Sequence, residues 1–142
     1  MSRLTPKQYL SQIRHLDSEI NSNLLLIEDL KSRALKLGGF NTGDKVQNSK
    51  SNNFTNWIDK SVDLEKKIDR QIDKLVDLKD KINREINKMS NPLHRLILIN
   101  HYILDRSLIE ISSTYTYDYS YIKHAHGHAL QEFKRCNEEI FK

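Results

Sequence analysis

Residues 107–135 read SLIEISSTYTYDYSYIKHAHGHALQEFKR, and this stretch decides the fold. Ser107 and Glu110 stand three residues apart ahead of an apolar run. At that spacing the serine and glutamate side chains satisfy each other's backbone N–H groups at the start of a helix. A short helix therefore opens here. In a two-helix pattern of about twenty residues counted from Leu108, the internal positions fall on Ile111, Tyr115, Tyr117, Ile122 and Ala125, all apolar or aromatic. Two helices so spaced cross at a steep angle, as in a helix-turn-helix, with Asp118 able to cap the second. Ser112 stands where such motifs carry alanine, and Thr116 where the turn carries glycine. Threonine is strained in a tight left-handed turn, so the sequence predicts a variant or lengthened connection.

The second helix of the pair, expected over residues 119–135, is the candidate recognition helix. Its outward positions are Ser120, Tyr121, Lys123, His124, Gly127 and His128, while Ile122, Ala125, Ala129, Leu130 and Phe133 face inward. Lys123 and His124 can donate to phosphates or bases, and Ser120 and Tyr121 can reach backbone or base edges in a major groove. The competing reading of the same pattern is a three-helix head that packs on its own chain or on another protein. Charge bears on the choice. The chain carries a net +4, yet residues 90–142 hold as many acidic as basic side chains. Phosphate neutralisation supplies most non-specific DNA affinity, so this segment alone offers little of it. Five of the six histidines lie there.

Working outward, Met89-Ser90-Asn91-Pro92 marks a boundary, because Asn91 can cap and Pro92 can begin a helix that continues through Leu93, Leu96, Ile97, Ile99, His101, Tyr102 and Leu104. Nearer the start, Thr5-Pro6 opens a helix whose apolar residues keep a four-three spacing: Tyr9, Ile13, Leu16, Ile20, Asn23, Ile27, Leu30, Ala34, Leu37. Such a seam with one polar interruption is a coiled-coil signature, and Ile13, Leu16, Ile20, Asn23, Ile27 and Leu30 are the candidate oligomerisation residues. Gly38-Gly39 ends it, and residues 38–53 read as a loop. A second helix follows over residues 54–89, with Ile68, Ile72, Leu75, Ile82, Ile86 and Met89 on one stripe and Phe54, Trp57, Leu64 and Leu78 beside it. Asp63–Lys67, Asp77–Lys81 and Asp80–Arg84 have the acid-first, four-residue spacing of an exposed helix face.

The expected architecture is all-α: a long antiparallel helical hairpin over residues 1–89 followed by a small helix-turn-helix domain over 90–142. A hairpin alone leaves Leu24, Leu25 and Leu26 exposed, which points to a homodimer or higher homo-oligomer.

Other functions find little support. GGFNTGDK has the glycine spacing of a phosphate-binding loop, but Asp44 stands where the lysine belongs and no strand precedes it. His124 and His128 lie four apart without the further ligands a zinc site needs, and no recognisable arrangement of nucleophile, base or paired carboxylates is present. Neither an enzyme nor a bound metal or cofactor is expected. Cys136, the single cysteine, reads as a partly buried helix residue. No apolar run reaches membrane-spanning length and the opening MSRLTPKQYL lacks signal-peptide order, so a cytoplasmic location is expected.

Beyond these features, the chain resembles a family. The coiled-coil start, the loop GDKVQNSKSNN, the helix DLEKKIDRQIDKLVDLKDKIN and the ending YSYIKHAHGHALQEF are similar to bacteriophage and prophage proteins of Gram-positive bacteria. Those proteins carry a C-terminal module like region 4 of sigma-70 factors, in a layout akin to phage regulators of the ArpU and RinA type. The most distinctive segments are Asp44-Lys45-Val46-Gln47, Val76-Asp77-Leu78-Lys79, and His126-Gly127 with Ala129-Leu130. The resemblance implies control of phage late transcription in the host cytoplasm, through double-stranded promoter DNA, host RNA polymerase or both. The DNA-reading positions are then Ser120, Tyr121, Lys123 and His124. A polymerase-binding adaptor that does not read DNA, and a small terminase subunit, are the alternatives.

Overall fold

A computed structural model of the chain describes residues 3–39 and 47–142. The described residues are helical throughout their regular structure, with no strand: α1 (Pro6–Leu10), α2 (Gln12–Gly39), α3 (Gln47–Ile86), α4 (Pro92–Leu98), a π turn (Ile99–Ile103), α5 (Leu108–Thr114), α6 (Tyr119–Cys136) and α7 (Glu138–Phe141). The all-α expectation holds at that level. By contact the chain divides into two compact units, one of Met1–Leu16 with Leu75–Lys142, the other Asp17–Lys74.

Local chemistry sets the helix starts. Thr5 caps α1 through a reciprocal box with Gln8, and Pro6 takes the first helical position, where its missing N–H costs nothing. A turn at Ser11, whose hydroxyl donates to the Lys7 carbonyl at 2.6 Å, separates α1 from α2 where a single helix was expected. Asn91 caps α4 by accepting from the backbone N–H groups of Leu93 and His94. Several boundaries differ from expectation. Helix α2 runs through both glycines to Gly39, and α3 begins at Gln47 rather than Phe54. Residues 40–46, which hold the rest of the phosphate-loop-like segment and Asp44-Lys45-Val46, lie outside the described residues.

The first unit holds the dense core. Ile97, Ile111, Ile122 and Ala125 are buried together under Leu93, Leu96 and Leu108, which locks α4, α5 and α6. Leu10, Ile13, Ile82, Ile86, Met89, Leu98, Tyr102, Ala129 and Phe133 are buried as well. Tyr9, Phe133 and Phe141 form a triangle of rings with centroids 5.7–6.0 Å apart, a favourable aromatic spacing.

Polar anchors are buried in the same unit. The Tyr9 hydroxyl donates to Glu85 at 2.6 Å, and burial together with that carboxylate pushes the Tyr9 pKa well above the ordinary phenol range. Glu132 accepts from the Ser90 N–H and hydroxyl, each at 3.2 Å, and pairs with His94 Nδ1 at 2.7 Å. Burial raises its pKa, but the His94, Ser90 and Asn91 hydrogen bonds outweigh burial and hold the carboxyl below its usual value.

In the second unit Ile20, Ile27, Leu30, Ala34 and Ile68 are buried, and Asn23 donates to Gln71 at 2.9 Å. Lys31 pairs with Glu65 at 2.7 Å on an exposed surface. Leu24, Leu25, Leu26, Leu35, Val62 and Ile72 are exposed. Ile72 therefore leaves the buried stripe expected of α3. Of the three expected acid-first pairs, Asp80–Arg84 closes, at 3.3 Å. Among the described residues no helix is long and apolar enough to cross a membrane.

Candidate nucleic-acid interface

The residues between α5 and α6 set the geometry of the candidate site. Ser107 caps α5 by accepting from the Glu110 N–H at 3.1 Å, but the return bond from the Glu110 side chain is not made, so only half of the expected box forms. Ser112 is buried, and its hydroxyl donates to the Ile109 carbonyl at 2.7 Å. A serine thus fits an alanine position because its own helix satisfies it. The chain then turns within Tyr115–Asp118, closed by the Tyr117 N–H donating to the Ser112 carbonyl at 2.9 Å. Thr116 takes φ 59°, the left-handed conformation usually given to glycine. The turn is tight rather than lengthened, with a β-branched residue held in a strained state that costs about 1–2 kcal/mol. Asp118 stands at the N-cap of α6 but makes no side-chain capping bond, contrary to expectation.

Helix α6 has two faces. Ile122, Ala125, Ala129, Glu132 and Phe133 are buried, and every residue expected to point outward, Ser120, Tyr121, Lys123, His124, Gly127 and His128, is exposed. A Cβ at Gly127 would meet open space, so that glycine leaves the helix surface low without any close packing that demands it. His124 Nδ1 lies 2.7 Å from the Ser120 carbonyl, which places a proton on Nδ1 and makes Nε2 of the neutral ring an acceptor. Lys123 Nζ lies 5.4 Å from the centre of the Tyr119 ring, within cation–π range.

Two of the five residues expected inside the motif are outside it. Tyr115 and Tyr117 are 38% and 43% exposed, close to the 42% and 47% of Tyr119 and Tyr121. The Tyr117 and Tyr121 rings stack, with centroids 5.7 Å apart and planes 19° from parallel. The buried cluster of this region consists of Ile97, Ile111, Ile122 and Ala125, with Leu93, Leu96 and Leu108 packed against it, and neither tyrosine belongs to it. Alternating tyrosines satisfy a count of apolar positions without saying which will find room, so sequence spacing could not tell these two from Ile111.

Sequence reasoning also missed a polar cluster behind the helix. His126 Nε2 lies 2.8 Å from the Tyr102 hydroxyl, and its ring is 5.2 Å from that of His101. Burial, then the neighbouring His101 and Lys7, lower the His126 pKa from 6.5 to about 4. Burial likewise lowers His101, whose Nδ1 is 2.7 Å from the Arg106 carbonyl, and pushes Tyr102 up to about 12. The π turn brings His101 and Tyr102 to this point, and Arg14 ties it down by donating to the His101 carbonyl at 3.2 Å and to Asp105 at 2.9 Å. No spacing rule joins residues from such separate elements.

The candidate oligomerisation residues fall elsewhere. Ile13, Ile20, Ile27 and Leu30 are buried within the single chain, Leu16 and Asn23 are half-buried, and the apolar side chains left open on α2 include Leu24, Leu25, Leu26 and Leu35. Among the described residues no three His, Cys, Asp or Glu side chains are grouped to hold a metal ion. Cys136 is exposed rather than partly buried. No family model, curated protein or solved structure matches the chain.

Proposed function

We propose that this chain is a DNA-binding transcriptional regulator of the phage late-gene type, with α5 and α6 as a helix-turn-helix and α6 as its reading helix. The observation that carries the reading is the division of α6: one side buried on α4 and α5, the other offering Ser120, Tyr121, Lys123, His124, Gly127 and His128 to solvent. A helix of 18 residues anchored on one side and presenting polar side chains on the other is suited to a major groove. The helical-hairpin reading of α2 and α3 is supported by the opposed order of two pairs, Asn23 with Gln71 and Lys31 with Glu65. Charge also supports DNA binding better than residues 90–142 suggest. Residues 1–16, in the same contact unit, contribute Arg3, Lys7 and Arg14 and no acidic side chain.

The test is salt-dependent binding of the full chain to a promoter fragment of the phage or prophage that encodes it. Replacing Lys123 and His124 together by alanine weakens binding about tenfold or more and flattens the salt dependence. Binding indifferent to both changes removes α6 as the reading helix.

A further inference from the structure

We infer that the unit Asp17–Lys74 binds a second copy of itself through one face of α2 and α3, which carries Leu24, Lys31 and Leu35 on α2 and Val62, Glu65 and Ile72 on α3. The inference does not rest on the nucleic-acid reading of α6, and it sets the interface apart from the buried seam of Ile13, Ile20, Ile27 and Leu30. Lys31 and Glu65 fix where this face lies, because their side chains meet at 2.7 Å between the two helices while both remain exposed. Leu24 stands seven residues before Lys31 and Leu35 four after it, spacings that return to the same side of a helix. On α3 the same holds for Val62, three residues before Glu65, and for Ile72, seven after it. The helices run in opposite directions here, since Asn23 meets Gln71 and Lys31 meets Glu65. Leu24 therefore lies near the level of Ile72, and Leu35 near that of Val62, one apolar patch on either side of the ion pair. These four side chains are 41–72% exposed. Apolar side chains gathered on one exposed face mark an interaction surface.

The pattern on this face is complementary to itself. A twofold axis running along the helices lays each α2 on the α3 of the other copy. Leu24 then meets Ile72, Leu35 meets Val62, and Lys31 meets the opposite charge of Glu65, each contact being made twice. Turning the second copy end for end instead sets Lys31 on Lys31 and Glu65 on Glu65, and like charges at the centre of a contact oppose it. The charges thus select both the partner and its direction, so that the two α2 helices point the same way. Two such layers make a four-helix bundle, in which each layer covers apolar surface that the other leaves open. Leu26, two positions on from Leu24, is turned to the opposite flank of α2, where it lines a groove with Leu30 and Leu64 and stays outside the contact.

The experiment is sedimentation equilibrium of the full chain over roughly 1–100 μM, a range that suits a contact of this small size. Monomer and dimer are expected to exchange within it. Leu24→Lys and Ile72→Glu each weaken the dimer about tenfold or more, by placing a charge opposite an apolar side chain. An equimolar mixture of the two variants recovers it, since the new lysine and glutamate face each other in one half of the contact and Leu24 and Ile72 remain in the other. Leu26→Ser leaves the dimer unchanged. Helix content by circular dichroism stays at that of the unaltered chain in all three variants, because the replaced side chains are exposed. A chain that is monomeric over the whole range, a dimer indifferent to Leu24→Lys and Ile72→Glu, or a mixture no tighter than its components overturns the proposal. So does a loss from Leu26→Ser as large as that from Leu24→Lys. The reading of α6 stands or falls separately, on Lys123 and His124.

Discussion

The two contact units handle apolar surface differently. In Met1–Leu16 with Leu75–Lys142, seven helical elements and a π turn converge, and large side chains such as Phe133, Ile111 and Tyr102 are almost completely enclosed. In Asp17–Lys74, stretches of α2 and α3 bury one stripe each and leave Leu24, Leu25 and Leu26 in solvent. The difference teaches where side-chain identity is strictly constrained. A closed core fixes the size of each residue, whereas a two-helix layer fixes only a seam.

The contrast is broken or sharpened most strongly by paired truncations. Phe133→Ala in the enclosed unit is expected to cost about 3–5 kcal/mol in denaturant unfolding, against under about 0.5 kcal/mol for Leu25→Ala in dilute protein. A Leu25 cost that grows with protein concentration would show that a second copy covers that row.

Next come the buried polar anchors of the enclosed unit. Glu132→Gln loses the charge-assisted bond to His94 and is expected to cost about 2 kcal/mol at neutral pH. Because the folded carboxyl titrates below its unfolded value, that contribution is complete above the unfolded pKa. It is lost as pH falls through the folded one. The gap between parent and variant should therefore close in acid; a constant gap would assign the loss to packing.

His126 acts over a higher window. Its pKa is about 4 in the folded state against 6.5 otherwise, so the unfolded chain takes up the proton first. Stability contributed by neutral His126 is whole above pH 6.5, falls as pH drops, and levels off below pH 4. After allowance for its partial exposure the loss is about 2 kcal/mol. His126→Gln should flatten this slope, and a slope unchanged in the variant would move the effect to His101.

The smallest effect is at the turn. Thr116→Gly relieves the left-handed strain but frees the unfolded chain, so a net gain of about 0.5–1 kcal/mol is expected in thermal unfolding. Destabilisation would mean that the threonine makes up for its backbone elsewhere.

Features governed by neighbouring residues were legible in the sequence. Thr5 with Pro6, Asn91 with Pro92 and Ser107 at α5 each mark a helix start through bonds to residues two or three positions on. Ile111, Ile122 and Ala125 were legible as core because their spacing and their apolar character agree. The exposed row of α6 followed from the same periodicity. What was not legible depends on available volume and on distant partners. Tyr115 and Tyr117 satisfy the spacing but stay outside the buried cluster, and Ser112 is accommodated by its bond to the Ile109 carbonyl. Tyr9 with Glu85 and His126 with Tyr102 join elements whose convergence no local pattern announces. The capping acids Glu110 and Asp118 show the converse, since the right residue at the right place left its bond unmade.

The aromatic triangle has a consequence for how the chain is made. Tyr9 emerges from the ribosome long before Phe133 and Phe141, the rings it packs against. Until then Tyr9, Leu10 and Ile13 have no finished core to enter, so the unit that carries α6 closes only after Phe141 has been made. Folding dominated by such distant contacts is slow. A fragment beginning at residue 90 would retain every candidate DNA contact yet lack the first-made wall of the core behind them.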